Sequence, residues 1–327
     1  MDIDVIEENC FEDREELNDL ITDRTLATEQ KLEALLEMQK TRTERGLHSA
    51  GEDMAEAYED LLQHRKGNEL PSGISTGLKD VDRLTRGFCP GKLYILGAPP
   101  AMGKTSMALQ LAIHAGLSGE TVAFFNMDME ANPFVLRLLS SASGIPLAKD
   151  GTIQPVGEEW DAVKKTTELM QAGKIQIDHT ESYSVEEIFL QCEKVKELGI
   201  VFIDRLQMIK RDGSDKYQSK IAGDFSDVCR KLKNMAELLD VPVVCLSSMP
   251  VPTYRKNRRP CLADFDIFGA IDRYADVVIG IYREAYYSDK EEFCREAEVI
   301  VMKSTMHITG RVYVRWNPEL LRFEDLD

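Results

Sequence analysis

The chain has 327 residues, of which 43% are hydrophobic and 30% charged, and its formal charge is -17. This length suits one large domain or two ordinary ones, and the apolar fraction is enough for a hydrophobic core. The strong acidity argues against a protein that coats nucleic acid through its overall charge, because duplex phosphates repel such a surface, although it leaves room for a local basic groove.

The acidity is concentrated at the start of the chain. Residues 1–70 hold 20 of the 57 acidic and 8 of the 40 basic side chains, a net charge of -12, so the remainder carries -5. Apolar residues at three- and four-residue spacing predict short amphipathic helices over 12–66, followed by a glycine- and proline-containing linker over 67–77. Helices this short need a partner, which could be the main body, a neighbouring subunit or another protein. The alternative is a solvated charged arm.

The cysteines and the first residues of the chain indicate the cellular compartment. The seven cysteines form no Cys-x-x-Cys pair and have no histidine at ligand spacing, so neither a zinc site nor a disulfide framework is predicted. The start lacks the basic region of a signal peptide, and no apolar run approaches the ~18 residues of a membrane span. We therefore expect a soluble, cytoplasmic protein that makes no membrane contact.

From residue 78 the pattern changes to short apolar strands separated by amphipathic helices. The predicted strands are 92–96, 121–126, 175–178, 200–204, 242–247, 276–282, 298–303 and 311–315. Helices between the first five strands indicate an α/β fold with a mostly parallel sheet covered on both faces. The last three strands have no helices between them and are expected to form an antiparallel extension at one end.

The strongest functional signal is a glycine-bounded loop between a strand and a helix. Its residues are Gly97, Ala98, Pro99, Pro100, Ala101, Met102, Gly103, Lys104, Thr105 and Ser106. Such a loop can turn its backbone N–H groups around a phosphate, and the helix N-terminus adds a favourable dipole. We predict that Lys104 reaches the β- and γ-phosphates and that Thr105 holds Mg²⁺. The strict motif has glycine where this chain has Ala98.

Carboxylates that follow two other strands complete a predicted triphosphatase site. Asp204 ends the apolar run 200–204, which places it at the carboxyl edge beside the loop, where it can orient Mg²⁺ through water. Alone, such an aspartate is usually a turn former. Asp128 and Glu130 both follow the strand ending at Asn126 and could polarise the attacking water, and either could instead be an ordinary acid at a helix N-terminus. The pattern does not choose between them.

These motifs lie within a longer family resemblance. The matching stretches are Gly77-Leu78 through Gly87, the loop 97–105, Asp204-Arg205-Leu206-Gln207, Val241-Pro242-Val243-Val244, and Ala275-Asp276 through Tyr282-Arg283-Glu284. They occur in the order and at the spacing of the C-terminal motor domain of DnaB-type replicative DNA helicases, a branch of the RecA-like ATPases, which the chain resembles. The resemblance implies a hexameric ring that threads single-stranded DNA and hydrolyses ATP between subunits. We accordingly divide the chain into an acidic helical arm and linker, 1–72, and a RecA-like ATPase domain, 73–327.

The resemblance also implies roles for individual residues. Asp128 matches the catalytic carboxylate, where the family has glutamate, and the shorter side chain lies about one methylene further from the water. Gln207 matches a glutamine that follows the metal-orienting acid. Arg283 matches a position near the adenine, with a solvated arginine at a strand end as the alternative. Lys303 matches a lysine that acts on the γ-phosphate of the neighbouring subunit.

Besides Asp128, three positions depart from the family pattern. Thr305 replaces the arginine finger, a residue worth roughly 10³ to 10⁵ in rate. Arg311 and Arg315 lie on one face of the next strand and could substitute for it, although arginines on surface strands usually have no catalytic role. Ser248 replaces a glutamine that couples the phosphate state to the DNA-contacting loop, here 264–269. In that loop Asp266 brings negative charge where a DNA phosphate is expected.

A basic loop after the fifth predicted strand supports binding of single-stranded nucleic acid. Its cationic and aromatic residues, with the nearby glycine of the DNA-contacting loop, are Tyr254, Arg255, Lys256, Arg258, Arg259 and Gly269. The cations could hold single-stranded phosphates while Tyr254 stacks on a base. The alternative is a solvated basic loop that offsets the slight acidity of the body.

Two functions are therefore predicted. The first is an ATP- and Mg²⁺-dependent DnaB-like helicase or translocase motor, self-associated as a ring or filament, that acts on single-stranded DNA in replication. The second is a degenerate RecA-like module that binds ATP as a regulatory or assembly switch, without unwinding. In either case the acidic arm could bind a protein partner.

Overall fold

The computed structural model of the chain describes residues 49–51, 54, 58, 73–148, 150–171, 174–211, 221–250, 258–265, 268–287, 295–305 and 308–326. Most of the predicted arm and linker, 1–72, lies outside these ranges. Among the residues described, no helix is long and apolar enough to cross a membrane.

The elements alternate along the first part of the domain and then become purely β. The strands are β1 Leu93–Ala98, β2 Thr121–Asn126, β3 Ile175–Asp178, β4 Leu198–Asp204, β5 Val243–Ser248, β6 Val277–Tyr282, β7 Glu296–Ser304, β8 Gly310–Asn317 and β9 Arg322–Asp325. The helices are α1 Lys79–Thr85, α2 Lys104–Leu117, α3 Ala131–Ser143, α4 Glu159–Gln171, α5 Val185–Glu193, α6 Ile221–Leu239 and α7 Phe268–Tyr274. Each of the eight predicted strands is present, with its ends displaced by at most two residues.

The described strands form one nine-stranded sheet in the order β3-β2-β4-β5-β1-β6-β7-β8-β9. Neighbours from β3 to β6 are parallel, whereas β6 to β9 are antiparallel to one another. The mostly parallel α/β sheet and its antiparallel extension are thereby confirmed. The prediction missed β9, and it did not anticipate that β6 also pairs in parallel with β1.

Alternate residues of the strands enter two hydrophobic clusters, one on each face of the sheet. On β1, Tyr94 and Leu96 belong to one cluster, while Leu93 and Ile95 belong to the other. All six residues of β1 are buried. A strand buried on both faces needs apolar residues at every position, which explains the continuous apolar runs in the sequence.

The antiparallel extension packs against the helix that follows the glycine-bounded loop. The side chain of Gln110, on α2, donates from Nε2 to the backbone carbonyl of Phe323 and accepts from its backbone N–H, both at 2.7 Å. The backbone N–H of Lys79 donates to a carboxylate oxygen of Asp325 at 3.1 Å. β9 is thus tied to α1 and α2 although it is far from them in sequence.

Candidate nucleotide-binding site

The glycine-bounded loop leaves β1 and curls into the first turn of α2. Gly103 has φ 102°, and a Cβ there would lie 2.9 Å from the ring of Phe323, so a side chain is excluded by both conformation and space. Ala101 also lies in the left-handed region, with φ 61°. Ala98 is the last residue of β1, and its methyl group is buried in the hydrophobic core. The departure from glycine at this position therefore fills core space and does not obstruct the loop.

The side chain of Lys104 contacts the end of the strand that precedes the loop. Its Nζ donates to the backbone carbonyl of Ala98 at 3.0 Å. Burial lowers the pKa of this ammonium group, and the negative charge of Asp204 partly opposes that effect. A cation held in a partly desolvated loop attracts phosphate more strongly than it would in water.

Asp204 and Thr105 bring two segments of the chain together at the carboxyl edge. The Thr105 hydroxyl donates to Oδ2 of Asp204 at 2.8 Å, although the residues are 99 positions apart. Asp204 is only 1% exposed. Desolvation raises the pKa of its carboxyl group to about 6, despite the opposing hydrogen bond from Thr105. A threonine hydroxyl next to a buried carboxylate supplies the hard oxygen ligands that Mg²⁺ prefers.

Asp128 is held in place by an arginine from the next strand. Nη2 of Arg205 lies 2.9 Å from Oδ1 of Asp128, and Nη1 donates to the hydroxyl of Ser248 at 3.1 Å. The three residues follow or end β2, β4 and β5, which are adjacent in the sheet. Glu130, the alternative to Asp128 in the sequence, is exposed at the N-terminal boundary of α3.

These residues surround a cleft of about 360 Å³. Its lining consists of Pro100, Ala101, Gly103, Lys104, Thr105, Ser106, Asp128, Arg137, Asp204, Arg205, Ser248, Trp316 and Leu321. Three other members of the predicted loop, Ala98, Pro99 and Met102, are buried. The volume lies in the range of small-molecule sites, and the combination of cations, a hydroxyl and carboxylates fits a metal-bound phosphate chain.

Sequence reasoning assigned no role to four residues of this lining. Arg137 lies on α3, while Trp316 and Leu321 belong to the antiparallel extension. Arg205 was part of the recognised motif, and its position directly after a strand-ending aspartate was the available signal. Nothing in the local pattern indicates that Trp316 approaches a loop more than 200 residues earlier.

Gln207 couples β4 to β5. Its side-chain Nε2 donates to the hydroxyl of Ser247 at 3.0 Å and to the carbonyl of Ser248 at 3.1 Å, and its Oε1 accepts from the backbone N–H of Ser248 at 3.3 Å. This predicted catalytic residue therefore contacts the end of β5 through three hydrogen bonds.

Arg283 is half-buried beside the loop, and its guanidinium contacts both the loop backbone and an aromatic ring. Nη1 donates to the carbonyl of Ala101 at 3.3 Å, and the guanidinium lies 4.4 Å from the ring centroid of Trp316. Burial lowers the pKa of this guanidinium. Arg283 thus contacts Trp316, which lines the cleft, although Arg283 is not itself part of the lining.

Lys303 and Thr305 lie at the opposite edge of the sheet. The backbone N–H of Thr305 donates to the carbonyl of Asp276 at 2.9 Å, and a carboxylate oxygen of Asp276 accepts from the N–H of Leu93, the first residue of β1. Lys303 is paired with Val278 near the start of β6, and its Nζ donates to the carbonyl of Asp272. Both residues are therefore remote from the phosphate loop of their own chain.

Two of the predicted nucleic-acid arginines are engaged within the protein. Nε of Arg259 donates to both carboxylate oxygens of Glu298, at 3.0 and 2.9 Å, and its guanidinium lies over Tyr282. Arg258 lies over the ring of Tyr287, 4.8 Å from its centroid. Gly269 is exposed in the first turn of α7. Tyr254, Arg255 and Lys256, like Asp266, lie outside the described residues.

Arg311 and Arg315 lie on β8 with their side chains on the face opposite to Val314 and Trp316, because side chains alternate along a strand. Arg311 is 3.8 Å from a carboxylate oxygen of Glu298. Neither arginine lines the cleft of its own chain.

No group of three or more histidine, cysteine, aspartate or glutamate side chains is poised to hold a metal ion in the part of the chain that the structure describes. A divalent ion would therefore take most of its ligands from nucleotide and water, with Thr105 and Asp204 as its protein partners. This is the usual arrangement for Mg²⁺, which is bound through few side chains together with substrate phosphates.

A lysine-bearing phosphate loop, a threonine–aspartate pair and a third carboxylate on a mostly parallel sheet are the features of a P-loop site on a RecA-like fold. The chain belongs to the family of the DnaB-like helicase C terminal domain, whose model matches residues 73–325.

Curated relatives that match most of this chain are replicative DNA helicases. A replicative DNA helicase DnaB of Geobacillus stearothermophilus is 31% identical over 280 residues, covering 84% of this chain and 61% of the relative. The replicative DNA helicase DnaC of Bacillus subtilis is 30% identical over 300 residues, covering 90% and 65%. The chain thus spans less than two thirds of the length of these two relatives.

Several solved structures have folds similar to that of this chain. One of them, an isolated ATPase domain, is 26% identical with a TM-score of 0.78, and the match covers 86% of this chain and all of that domain. A DnaB-like replicative helicase, described with its interactions with primase, is 26% identical with a TM-score of 0.77 over 86% of this chain and 68% of that one. The RadB recombinase, at 18% identity and a TM-score of 0.51 over 78% of this chain and all of that one, shares the fold alone.

Proposed function

We propose that the chain is an ATP-hydrolysing motor of the replicative DnaB type, which moves along single-stranded DNA and separates strands during replication. The observation that carries the proposal is the hydrogen bond between Thr105 and Asp204 beside Lys104, within a domain of this helicase family. These three side chains are the minimum set for binding a nucleoside triphosphate with Mg²⁺.

Each side chain has a proposed role in ATP binding and hydrolysis. The loop amides and Lys104 bind the β- and γ-phosphates, and Arg283 with Trp316 borders the adenine end. Thr105 holds Mg²⁺ directly and Asp204 through water, so that the ion neutralises charge on the phosphates. Asp128 accepts the proton of the attacking water. Gln207 passes the state of the site to β5 through its contacts with Ser247 and Ser248.

Self-association is part of the proposal. Lys303 lies at the edge of the sheet opposite to the phosphate loop, so it can approach a γ-phosphate only in another copy of the chain. A ring or filament in which one edge faces the next subunit's cleft satisfies this geometry, and a hexamer is the expected closed form. The acidic arm within 1–72 is proposed to bind a protein partner or the neighbouring subunit.

DNA contact is proposed for the basic loop after β5, which includes Tyr254, Arg255 and Lys256. Arg258 and Arg259 are already in contact with Tyr287 and Glu298, so they would orient the loop and leave the earlier cations to the phosphates. Gly269, exposed at the start of α7, would let a strand approach the backbone closely.

A second candidate function is an ATP-dependent assembly switch without unwinding. The observation that favours it is the ion pair between Arg205 and Asp128, which occupies the carboxylate that a motor needs for its attacking water. Thr305 in place of the finger also favours slow turnover. In this case ATP binding would change self-association, while DNA would not accelerate hydrolysis.

The test compares the wild-type chain with Lys104→Ala in an ATPase assay, with and without single-stranded oligonucleotide. We expect DNA to stimulate the wild type and Lys104→Ala to reduce turnover to background, because the β- and γ-phosphates lose their only loop cation. Lys164→Ala, which changes a lysine on the exposed face of α4, is the matched control and should behave like the wild type.

Nucleotide binding is followed separately through tryptophan fluorescence. Trp160 is exposed and Trp316 lines the cleft, so Trp160→Phe leaves a single reporter at the site. The wild type could bind nucleotide and yet show no turnover above the Lys104→Ala background, with or without DNA. That result would refute the motor function and favour the assembly switch.

A further inference from the structure

Arg205 lines the same cleft as the phosphate loop and the third carboxylate. It is the first residue after β4, and its guanidinium bridges Asp128 and the hydroxyl of Ser248, at 2.9 and 3.1 Å. Lys104 and Thr105 line the same cleft. Nε of Arg205 is buried and has no hydrogen-bond partner among the described residues. The side chain therefore retains donor capacity inside the site.

The cleft holds more cationic than anionic side chains. Lys104, Arg137 and Arg205 line it together with Asp128 and Asp204. A triphosphate adds several negative charges beside this set, and its terminal oxygens compete with the Asp128 carboxylate for the guanidinium. Arginine binds phosphate through two parallel hydrogen bonds, so a γ-phosphate is a stronger partner than one carboxylate oxygen at a partly exposed pair.

Thr305, the position at which the family resemblance predicts an arginine finger, lies at the opposite edge of the sheet. Arg311 and Arg315 are on the face of β8 that points away from the cleft. Of the arginines that line the cleft, Arg137 lies on α3, whereas Arg205 alone contacts the third carboxylate.

We propose that Arg205 is a catalytic residue that contacts the γ-phosphate of ATP bound to its own chain, replacing in cis the missing finger and releasing Asp128 as it does so. The inference rests on the proposed ATPase function. Asp128, once free, accepts the proton of the attacking water while the γ-phosphorus gains the water oxygen and loses the bridging oxygen to ADP. Arg205 exchanges no proton and stabilises the negative charge on the phosphoryl oxygens.

The first consequence concerns binding and requires no turnover. ADP lacks the γ-phosphate, so Arg205 remains on Asp128 when ADP is bound. In the Trp160→Phe background we expect Arg205→Gln to reduce the preference for a non-hydrolysable ATP analogue over ADP by about 10- to 100-fold, the loss of one charged hydrogen-bonding group. Arg311→Gln is the matched control and should keep the wild-type preference.

Asp128→Asn tests the competition directly. Removing the carboxylate charge frees the guanidinium, so this variant should bind the ATP analogue more tightly than the wild type while its turnover falls. In the double variant, Asp128→Asn with Arg205→Gln, that gain should disappear. Arg205→Lys keeps the charge without the two-pronged geometry and should be intermediate. An unchanged preference in Arg205→Gln overturns the proposal.

The second consequence separates action in cis from action in trans. Arg205→Gln should lower turnover by roughly 10³-fold or more, the scale of an arginine finger. Mixing it with Lys104→Ala chains, which carry an intact Arg205, should restore nothing if the arginine acts within its own chain. Recovery of turnover in the mixture shows that Arg205 acts on a neighbour and overturns the cis assignment. A wild type without turnover removes the proposed function, while the analogue preference still decides whether Arg205 contacts the γ-phosphate.

Discussion

Asp204 ends β4 almost completely out of solvent, next to a hydroxyl and within reach of two cations. Burial raises the pKa of this carboxyl group to about 6, because the charged form loses hydration that one hydrogen bond does not replace. The charge that Mg²⁺ binding requires is therefore unfavourable for the folded state before the ion arrives. A site of this kind trades stability for function.

Asp204→Asn should accordingly stabilise the protein in a pH-dependent manner. The folded-state pKa lies above the unfolded value of about 4, so the wild type is relatively most stable below that pH and loses stability as the pH rises through 6. Asparagine has no such titration. The variant's advantage should grow from near zero at about pH 4 to about 3 kcal/mol above pH 7.

Urea unfolding at several pH values measures this difference, since the other titrating groups are common to both proteins. Asparagine can still accept the hydrogen bond from Thr105, so the comparison isolates the charge. Parallel stability curves for the two proteins between pH 4 and 8 would refute the assignment. The same variant should bind Mg²⁺-nucleotide more weakly than the wild type.

The residues that were predictable are those whose role depends on local sequence. Gly103, Lys104 and Thr105 follow one another at the start of a helix, so their spacing alone places them around a phosphate. Arg205 and Trp316 reach the cleft through the direction of their side chains, which no local pattern encodes. The choice between Asp128 and Glu130 likewise depends on which side chain faces Arg205.

At the scale of elements, the β8–β9 hairpin forms a wall of the nucleotide cleft. The rings of Trp316 and Phe323 pack 4.7 Å apart, and Phe323 lies against the backbone of Gly103. Gln110 on α2 fixes the backbone of Phe323 through two hydrogen bonds. The conformation of the phosphate loop is thus supported by strands that contribute no phosphate ligand.

Phe323→Ala should weaken both stability and nucleotide binding. Removing a buried phenylalanine costs about 3–5 kcal/mol, and the cavity would lie directly behind Gly103. Urea unfolding and calorimetric titration with Mg²⁺-nucleotide, at a temperature where the variant is folded, measure the two effects. Tyr313→Ala, on the exposed face of β8, is the control and should change either quantity little. Wild-type affinity in folded Phe323→Ala would show that the hairpin does not support the loop.

The strand predictions are correct where burial on both faces requires apolar residues at most positions. Strands β1, β2, β5 and β6 and most of β4 are covered on both faces, so they appear as mainly apolar runs. The edge strand β3 has no fully buried residue and was predicted from its two isoleucines. β9 was missed because Arg322–Asp325 has one apolar residue among three charged ones. Its place in the sheet depends on pairing with β8 and on Gln110, contacts that are distant in sequence.

At the scale of the whole molecule, the sheet separates two lysines with proposed roles at the same phosphate. Lys104 is at the carboxyl edge of the parallel strands, and Lys303 is near the opposite edge. One copy of the chain cannot bring both to one nucleotide. The quaternary arrangement stays a prediction from the family resemblance, because no single residue pattern specifies which edges meet.

Two individually inactive variants should therefore complement each other. Lys104→Ala removes the loop cation, and Lys303→Ala removes the cation offered to the neighbour. In a mixture, interfaces that combine the intact Lys104 of one chain with the intact Lys303 of the other should regain turnover. Lys104→Ala mixed with Asp128→Asn should stay inactive, since both changes affect the same cleft. If the mixture of Lys104→Ala with Lys303→Ala shows no ATP turnover, Lys303 has no role at the neighbouring subunit's nucleotide.

The bond between Gln110 and Phe323 also has a consequence during translation. The two residues are 213 positions apart, and the ring behind Gly103 belongs to the later one. At about 5–20 residues per second, synthesis of the intervening chain takes roughly 10 to 40 s. Throughout that interval the phosphate loop lacks the contact with Phe323. We therefore expect a nascent chain to bind nucleotide only after β9 has left the ribosome.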